Sequence, residues 1–343
     1  MAKRVPIKFA IAGCRHGHIF DVGAQLKTRA DAELVAICEE DDATRATLSE
    51  HFGSLPIFDS LDRMLDAIDC GVVAIGDLYA KRGATAAHAL ARGKHIVSDK
   101  PLCISLSELD EIERLAKASN LSVTCQFDMR GLGTFRRLRR VIQEGDIGEV
   151  HAISFNGQHP LMYGQRAGWY FEPGMHGGTI NDIAIHAFDF IPWLTGLQFA
   201  RIDATRNWNA RLKKVPHFLD AAQVMLTLEN GCGVLGDVSY LTPDSFGYSL
   251  PHYWRTTAWG SGGVAETGVN IAGVQLFRNG ATQPALLDAD PTLGGVYISD
   301  LLNEIAGHPS ADGLTTASVL RASRVSLLAQ DAAAESRTNV PVN

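Results

Sequence analysis

Two short groups of residues carry the chemistry that this sequence suggests. The first is the segment His95-Ile-Val-Ser-Asp-Lys-Pro-Leu102, in which an acid, a base and a proline follow a short β-branched run. The second is Asp182-x-x-x-His186, which comes after the glycine pair Gly177-Gly178. An ammonium, a carboxylate and an imidazole are groups that proton transfer near neutral pH requires. Together the two groups suggest acid–base chemistry.

The lysine of the first group stands on a stiff corner. Ile96 and Val97 predict the end of a buried strand, so the next residues emerge at its carboxyl end, where open α/β sheets bind ligands. Pro101 fixes φ, removes a donor and keeps Lys100 out of the helical region. We therefore interpret Lys100 as an ammonium at the edge of a site. A surface lysine beside a turn is the alternative.

The second group is predicted to lie on a helix over residues 177–189. Asp182 and His186 are four apart and would share one face of that helix. A carboxylate beside an imidazole orients it and raises its basicity, as a general base requires. The same spacing could supply two metal ligands, with His217 or His159 as a third, or a hydrogen bond that only holds the helix. We predict that no metal is bound.

The elements that must position Lys100 alternate between strand and helix, which predicts βαβ units and a parallel sheet. Predicted strands cover residues 8–12, 33–38, 57–58, 72–75, 95–98 and 122–126, and predicted helices cover 19–29, 42–51, 61–67, 84–92 and 105–119. Later strands, near 150–155, 219–229, 233–241, 255–259 and 274–278, lack a helix between each pair. That pattern predicts a mostly antiparallel sheet with an open face. We expect two domains, 1–128 and 129–343, with the terminal helices free to pack back on the first.

The first turn, Gly13-Cys-Arg-His-Gly17, resembles a dinucleotide-binding fingerprint in which Arg15 replaces the middle glycine. Glu39 follows the second strand, 26 residues after Gly13, where an acid accepts from ribose hydroxyls. A carboxylate there repels a 2′-phosphate and favours NAD over NADP. An α/β domain without a dinucleotide, with a solvated Glu39, is the alternative; Arg15 is a candidate phosphate contact.

Composition narrows the class of protein. The chain has 343 residues and a formal net charge of −7, which gives no basic footprint for nucleic acid. No apolar run approaches the roughly 20 residues of a membrane span, and the basic start leads into a strand rather than a signal-peptide core. Six cysteines without a Cys-x-x-Cys pair predict reduced thiols and a cytoplasmic location.

These motifs resemble the glucose–fructose oxidoreductase/inositol dehydrogenase/rhizopine catabolism (Gfo/Idh/MocA) family. The resemblance runs in order over most of the chain and is carried by Gly13-x-x-x-Gly17, the segment 91–102, Gly145-Asp-Ile-Gly-Glu-Val150, Gly177-Gly178, Asp182-x-x-x-His186 and Asp189. It implies a Rossmann domain, then an α+β domain whose open sheet commonly forms a dimer or tetramer interface. It also implies that Lys100, Asp182 and His186 meet over the nicotinamide.

Three segments depart from the family pattern: Asp99 stands for the usual Glu, the segment 76–82 for Thr-Pro-x-x-x-His, and Trp169-Tyr170 for Trp-Arg. The residues expected to bind the cofactor are Gly13, Arg15, His16, Gly17, Glu39, Gly76, Asp77, Asp99, Lys100 and Gln126. The residues expected to line the substrate are His159, Tyr163, Trp169, His217 and Tyr240.

The expected activity is NAD-dependent oxidation of a secondary alcohol on a sugar, polyol or cyclitol, or the reverse reduction. His186 would act as general base, Asp182 would orient it, and Lys100 would stabilise charge on the reacting oxygen or relay the proton. Two alternatives use the same scaffold: an NAD-dependent lyase or glycosidase that works by transient oxidation, and a non-catalytic metabolite-binding regulator. We expect a homodimer or homotetramer.

Overall fold

A computed structural model of the protein describes residues 5–342. The basic start at residues 1–4, interpreted above as no signal peptide, lies outside the described residues. The described chain forms two compact units. The first comprises residues up to 126 with 174–176 and 295–320, and the second comprises 127–173, 177–294 and the residues from 321 onward. The first unit therefore ends just before the expected boundary at 128 and includes a segment from late in the chain.

The first unit contains a six-stranded parallel sheet with the order β3-β2-β1-β4-β5-β6, as the alternating pattern predicted. Its strands are β1 (Ile7–Ala12), β2 (Ala32–Cys38), β3 (Ile57–Phe58), β4 (Val72–Ile75), β5 (His95–Ser98) and β6 (Val123–Cys125). Its helices are α1 (His18–Lys27), α2 (Asp42–Arg45), α3 (Leu48–Phe52), α4 (Leu61–Ala67), α5 (Tyr79–Ala91), α6 (Leu106–Ser119) and α9 (Val296–Ile305).

The central strands of this sheet are apolar on both faces because helices cover both faces. All four residues of β4 are fully buried, and so are Ile96 and Val97 of β5. At the end of β1 the chain turns through Gly13, whose φ is +78°. A Cβ on Gly13 would lie 2.4 Å from the Cβ of Asp77, so only glycine fits this turn.

The second unit contains a nine-stranded sheet with the order β14-β13-β12-β11-β7-β10-β9-β8-β15. Only the β7–β10 pair is parallel among its described pairs, which confirms the mostly antiparallel prediction. The strands are β7 (Val150–Pro160), β8 (Phe199–Trp208), β9 (Ala221–Leu228), β10 (Gly233–Thr242), β11 (Trp254–Gly260), β12 (Gly263–Gly268), β13 (Gly273–Arg278), β14 (Ala285–Asp288) and β15 (Val340–Pro341).

Helix α7 (Gly133–Gln143) packs on β12 and β13 and against α8 (Ile185–Thr195). Most of α10 (Thr316–Glu335) also belongs to this unit. Short 3₁₀ turns occur at Asp128–Gly131, Gly168–Phe171 and Asp244–Phe246. Apolar side chains remain exposed on the sheet, among them Leu235 at 58% and Leu286 at 62%.

The helix predicted over 177–189 is irregular at its start. Ile180–Ala184 form a π-helical turn, and the α-helix begins only at Ile185. Contacts from α10 hold this turn, because the Gln330 side chain accepts from the Ile180 amide at 3.1 Å and Ser326 donates to Asn181 at 2.9 Å. A π-helical turn is wider than an α-helical turn. Asp182 and His186 are therefore not spaced as one regular α-helical turn, which corrects the premise of the prediction.

Candidate active site

The side chain of Arg82 fixes the segment Asp99–Pro101, the lysine corner. Lys100 is buried directly after β5, and its carbonyl accepts from Arg82 Nη1 at 2.5 Å. The same guanidinium donates to the carbonyl of Pro101 at 3.2 Å and to that of Asp77 at 2.8 Å. Arg82 is itself fully buried and packs over the Tyr79 ring at 4.4 Å. A single side chain thus ties the ends of β4 and β5 together.

The carboxylate of Asp99 lies at the centre of this corner and is fully buried. It accepts from Arg82 Nη2 at 2.9 Å and contacts Nδ1 of both His16 and His18, the latter at 3.1 Å. Burial alone would raise the pKa of Asp99, but the Arg82 charge holds it well below its usual range. The other His16 nitrogen contacts the Tyr79 hydroxyl at 3.3 Å. Burial lowers the pKa of His16 to about 4, so the imidazole is neutral at pH 7.

The ligand atoms of His16, His18 and Asp99 lie within 4.8 Å of one another, a spacing that a divalent cation could use. However, the Arg82 guanidinium already pairs with the only carboxylate of the trio. A cation bound there would be repelled by that guanidinium. We therefore assign the two histidines to holding Asp99, and the absence of a metal stays a prediction.

Glu39 holds the turn that follows Gly13 through its side-chain carboxylate. Its side-chain oxygens accept from the amides of Cys14 at 2.6 Å and Asp41 at 2.8 Å, and the residue is buried. Burial raises the pKa of Glu39. Arg15, which replaces the middle glycine, forms an ion pair with Asp41 at 3.5 Å. The ribose contact predicted for Glu39 and the phosphate contact of Arg15 stay predictions.

A cavity of about 250 Å³ opens at the carboxyl ends of β1, β2 and β4. Its lining includes Gly13, Cys38, Glu40, Asp77 and Lys81. Lys81 donates to Glu40 at 3.2 Å, and burial raises the pKa of Asp77. A cavity beside a glycine turn and a helix start, with an acid after the second strand, fits the adenosine half of a dinucleotide.

The remaining expected cofactor residues lie in the same part of the first unit. The Gly76 carbonyl accepts from the His16 amide at 2.9 Å, and a Cβ on Gly76 would lie 2.3 Å from that of Ile19, so the first turn packs tightly on β4. Gly17 caps the start of α1. Gln126 is buried just after β6, and its amide donates to the Ser98 carbonyl at 2.9 Å.

In the second unit, two tyrosine hydroxyls hold Asp182. Tyr170 donates to Asp182 Oδ2 at 2.9 Å, and Tyr240 donates to the same oxygen. All three residues are buried. Tyr240, expected as a substrate-lining residue, therefore also fixes the carboxylate. Sequence reasoning missed Tyr170 as a partner of Asp182, although it follows Trp169 in a segment already noted as a departure.

His186 is the second residue of α8 and is half-buried. Its ring lies edge-on to Trp254, with centroids 5.6 Å apart, and to Phe127 at 6.2 Å. A nearby ion pair fixes the helix that carries it, because Arg130 donates to both oxygens of Asp189 at 2.6 and 3.0 Å. Such a bidentate pair gives α8 a defined orientation.

The expected substrate residues of this unit gather at one end of the nine-stranded sheet. His159 is buried near the end of β7, with Tyr253 at 5.0 Å and Tyr240 at 6.0 Å between ring centroids. The Tyr163 ring packs at a tilt against Phe171, with centroids 4.7 Å apart. Trp169 is buried against Tyr170, and His217 contacts the Phe171 carbonyl at 2.8 Å. The structure therefore brings together side chains far apart in sequence.

Two family models match the chain. Residues 7–127 match the oxidoreductase family with an NAD-binding Rossmann fold, and residues 135–266 match the GFO/IDH/MocA C-terminal domain. The chain belongs to the Gfo/Idh/MocA family. The first unit of this Gfo/Idh/MocA protein is thus an NAD-binding Rossmann domain, and its family is one of oxidoreductases.

Several curated relatives of this Gfo/Idh/MocA chain are named dehydrogenases. Inositol 2-dehydrogenase of Corynebacterium glutamicum strain R is 27% identical over 73% of this chain and 69% of its own. Glucose-6-phosphate 3-dehydrogenase of Bacillus subtilis is 24% identical over 60% of each chain. The chain spans between about half and two thirds of the length of the curated relatives it matches.

The solved structures support the fold. An oxidoreductase from Agrobacterium radiobacter, in complex with NAD+, L-tartaric acid and magnesium, superposes with a TM-score of 0.81. It is 19% identical and covers 98% of this chain and 99% of its own, which shows the fold. Among the residues the structure describes, no helix combines the length and apolar character needed to cross a bilayer.

Proposed function

We propose that this protein is an NAD-dependent dehydrogenase that acts on a secondary alcohol of a sugar, polyol or cyclitol, or on the corresponding ketone. The observation that carries the proposal is the buried Lys100 corner, which Arg82 fixes at the carboxyl end of β5 in an NAD-binding Rossmann domain. The names of the inositol and glucose-6-phosphate dehydrogenases support the substrate class.

The chain supplies the proton chemistry of the proposed reaction. NAD would be held by the cavity beside Gly13 and Asp77 and would supply the hydride acceptor for the substrate carbon. The half-buried His186 takes the hydroxyl proton on its imidazole, and the Lys100 ammonium hydrogen-bonds the reacting oxygen and stabilises its negative charge. Asp182 stabilises the protonated imidazole, because a buried carboxylate is poorly screened by water. Reduction of a ketone would use the same groups in the opposite direction.

NAD is proposed over NADP because acids surround the expected ribose position. The Glu40 side chain lines the cavity beside Gly13, and Glu39 lies immediately before it. Carboxylates there disfavour a 2′-phosphate. Glu40→Ala should bring the dissociation constants for NAD and NADP closer together. Both constants are measured by intrinsic fluorescence, and their ratio gives the preference. An unchanged ratio in this variant and in Glu39→Ala would contradict the assignment.

A direct test combines binding with turnover. Titration of NAD, followed by intrinsic fluorescence, should show binding. At least one polyol in a screen should give net formation of NADH. A lyase that retains its cofactor would not form net NADH. Lys100→Met and His186→Ala should each lower kcat roughly 10²–10⁴-fold at saturating NAD, and titration of NAD into each variant separates this loss from weaker cofactor binding. The exposed Lys117→Met serves as a control. Wild-type turnover in both site variants would refute the assigned roles, and failure to bind either nucleotide would refute the function.

We further propose that the protein assembles as a homodimer or homotetramer through the open face of the nine-stranded sheet. That face carries a groove of about 440 Å³ lined by Phe155, Met225 and Leu235, among others, and exposed apolar side chains favour burial against a second copy. Leu235→Glu should shift the mass measured by light scattering to that of the monomer. An unchanged mass would place the interface elsewhere.

The proposed location is the cytoplasm. All six cysteines are free thiols and buried, as expected in a reducing compartment. Fractionation of the native host cells would test this location, and recovery outside the cytoplasm would contradict it.

A further inference from the structure

One arginine at the proposed substrate end was absent from the sequence predictions. Arg166 lies in the loop after β7, and its side chain folds back on that loop. Its Nε donates to the Leu161 carbonyl at 3.0 Å, and its Nη2 donates to the Pro160 carbonyl at 3.1 Å and to the Tyr248 hydroxyl at 2.9 Å. The guanidinium is therefore held in place from two sides, as a preorganised binding group should be.

The floor beneath this guanidinium belongs to the proposed substrate site. Arg166 lies 4.8 Å from the ring centroid of Tyr170 and 5.5 Å from that of Tyr240. The hydroxyls of the same two rings hold Asp182. Arg166 and Asp182 thus share one set of supports within the second unit.

The guanidinium retains capacity to bind a ligand. Arginine has five N–H donors, and the three contacts above use Nε and Nη2. Within the described range 5–342, no carboxylate forms an ion pair with Arg166 and no acceptor is found for Nη1. Burial alone would lower the pKa of Arg166, but the neighbouring tyrosines and Asp182 raise it, so the group stays charged. A half-buried charge of this kind favours an anion.

Two acids near this end of the sheet are already engaged. Asp244 accepts from the Met162 amide at 2.9 Å and pairs with Arg211 at 3.5 Å. Asp220 accepts from three backbone amides, at residues 210, 211 and 212. A further cation, Lys214, lies 3.8 Å over the Tyr163 ring. The charge of Asp182 also acts on Arg166, but its Oδ2 already accepts from two tyrosine hydroxyls, so the Nη1 group of Arg166 is left for the oxyanion of a ligand.

We propose that the substrate carries an oxyanion substituent, the carboxylate of a sugar acid or a phosphate ester, and that Arg166 binds it. This inference rests on the proposed function and narrows its substrate class. Arg166 would position the substrate while His186 and Lys100 act on a hydroxyl. The net charge of −7 does not oppose this reading, because the local charge around Arg166 decides what binds there.

The experiment compares sugars that differ only in charge. Sugar acids and sugar phosphates are each paired with their neutral parent, for example D-glucuronate and D-glucose 6-phosphate with D-glucose. Affinity for the NAD-saturated protein is measured by intrinsic fluorescence, and NADH formation is followed in parallel. At least one anion should bind roughly 10- to 100-fold more tightly than its parent. Whether the sugar acids or the sugar phosphates gain affinity over their parents shows which oxyanion the site binds.

Variants separate recognition from loop stability. Arg166→Gln should remove the preference for the anion and leave affinity for the neutral parent nearly unchanged, whereas Arg166→Lys should retain part of it. Arg211→Gln, a neighbouring arginine already paired with Asp244, is the matched control and should keep the preference. Thermal unfolding of each variant checks that the loop remains folded.

Two results would overturn the inference. One is that no anion in the panel binds more tightly than its parent. The other is that Arg166→Gln keeps the preference, which would leave Arg166 as a clamp for its own loop. Anion preference without NADH formation would instead refute the dehydrogenase proposal and retain anion recognition.

Discussion

Asp99 in the first unit and Asp182 in the second are both buried carboxylates of the candidate site, and they are held in opposite ways. Asp99 in the first unit is surrounded by an arginine and two histidines. Asp182 in the second unit accepts from two tyrosine hydroxyls, which are neutral donors. An arginine cancels the charge of a carboxylate, while hydroxyls stabilise the charge without cancelling it. Asp99 is therefore suited to a structural role and Asp182 to an electrostatic one.

Asp99, which stands where the family usually has Glu, acts together with Arg82 to position Lys100. The shorter acid at position 99 occurs with Arg82, whose guanidinium reaches Asp99 and the Lys100 carbonyl together. Lys100 is thereby positioned through its backbone carbonyl, which Arg82 holds. We expect Asp99 to influence catalysis through the position of Lys100 rather than through its own charge.

The strongest test of the comparison removes the arginine. Arg82→Met should lower the free energy of unfolding by roughly 3–5 kcal/mol, because it leaves a buried Asp99 carboxylate without its main partner. Urea unfolding at pH 7 measures the change. Arg82→Met combined with Asp99→Asn should be less destabilised than the single variant, since no buried charge remains. Equal losses in the two proteins would show that Asp99 is not held by charge.

The second test concerns the tyrosines. Tyr170→Phe and Tyr240→Phe should each destabilise the protein by about 1 kcal/mol, and the double variant by more than their sum, roughly 3 kcal/mol, since both hydroxyls share one oxygen. The variants should also lower kcat, because the Asp182 carboxylate is more easily protonated once it loses its hydroxyl donors. Measurement of kcat against pH should show the double variant losing activity at low pH first. A purely additive effect with an unchanged pH profile would make the hydroxyls structural only.

The third test uses the pH dependence of stability. Because burial lowers the pKa of His16 to about 4, the unfolded chain takes up its proton near pH 6.5 while the folded chain does not. Stability from this group is therefore lost as the pH falls from about 6.5 towards 4, on the order of 2 kcal/mol by pH 5. In His16→Asn, the difference in urea midpoint between pH 7 and pH 5 should shrink. The exposed His308→Asn should leave that difference as in the wild type.

The smallest effect is expected at the surface. Lys81 pairs with Glu40 at 3.2 Å, and both side chains are about half exposed. Lys81→Gln should change the free energy of unfolding by less than about 1 kcal/mol, because water screens such pairs. Urea unfolding of Lys81→Gln and Arg82→Met under the same conditions would compare the free energy lost at an exposed cation with that lost at a buried one. A loss at Lys81 as large as the loss at Arg82 would show that burial does not set the strength of these ion pairs.

Local patterns were enough to predict much of the architecture. The strand predicted over residues 72–75 is the one observed, because a short apolar run between turn signals has few other solutions. The mostly antiparallel second sheet followed from strands without intervening helices. The glycine turn at Gly13 was also identifiable, since its neighbours leave no room for a side chain.

What the sequence did not predict depends on contacts between distant residues. His18 and Asp99 are 81 residues apart, and Tyr240 and Asp182 are 58 apart, so no local spacing indicates either contact. The π-helical turn at Ile180–Ala184 depends on side chains from α10, about 150 residues later. Arg82 and Arg166 were overlooked for the same reason, because a buried arginine is identified by its partners and not by its neighbours in sequence.

The interrupted path of the chain through the first unit affects its synthesis. Residues 295–320 belong to that unit: α9 packs on β6, Arg29 donates to Ser299 at 2.9 Å, and Thr316 accepts from the Val123 amide at 2.9 Å. A ribosome must add about 170 residues after Gln126 before this segment exists, which takes roughly 10–30 s. During that interval the nascent sheet lacks its last helix. The nucleotide domain is therefore completed only after nearly all of the second unit has been made.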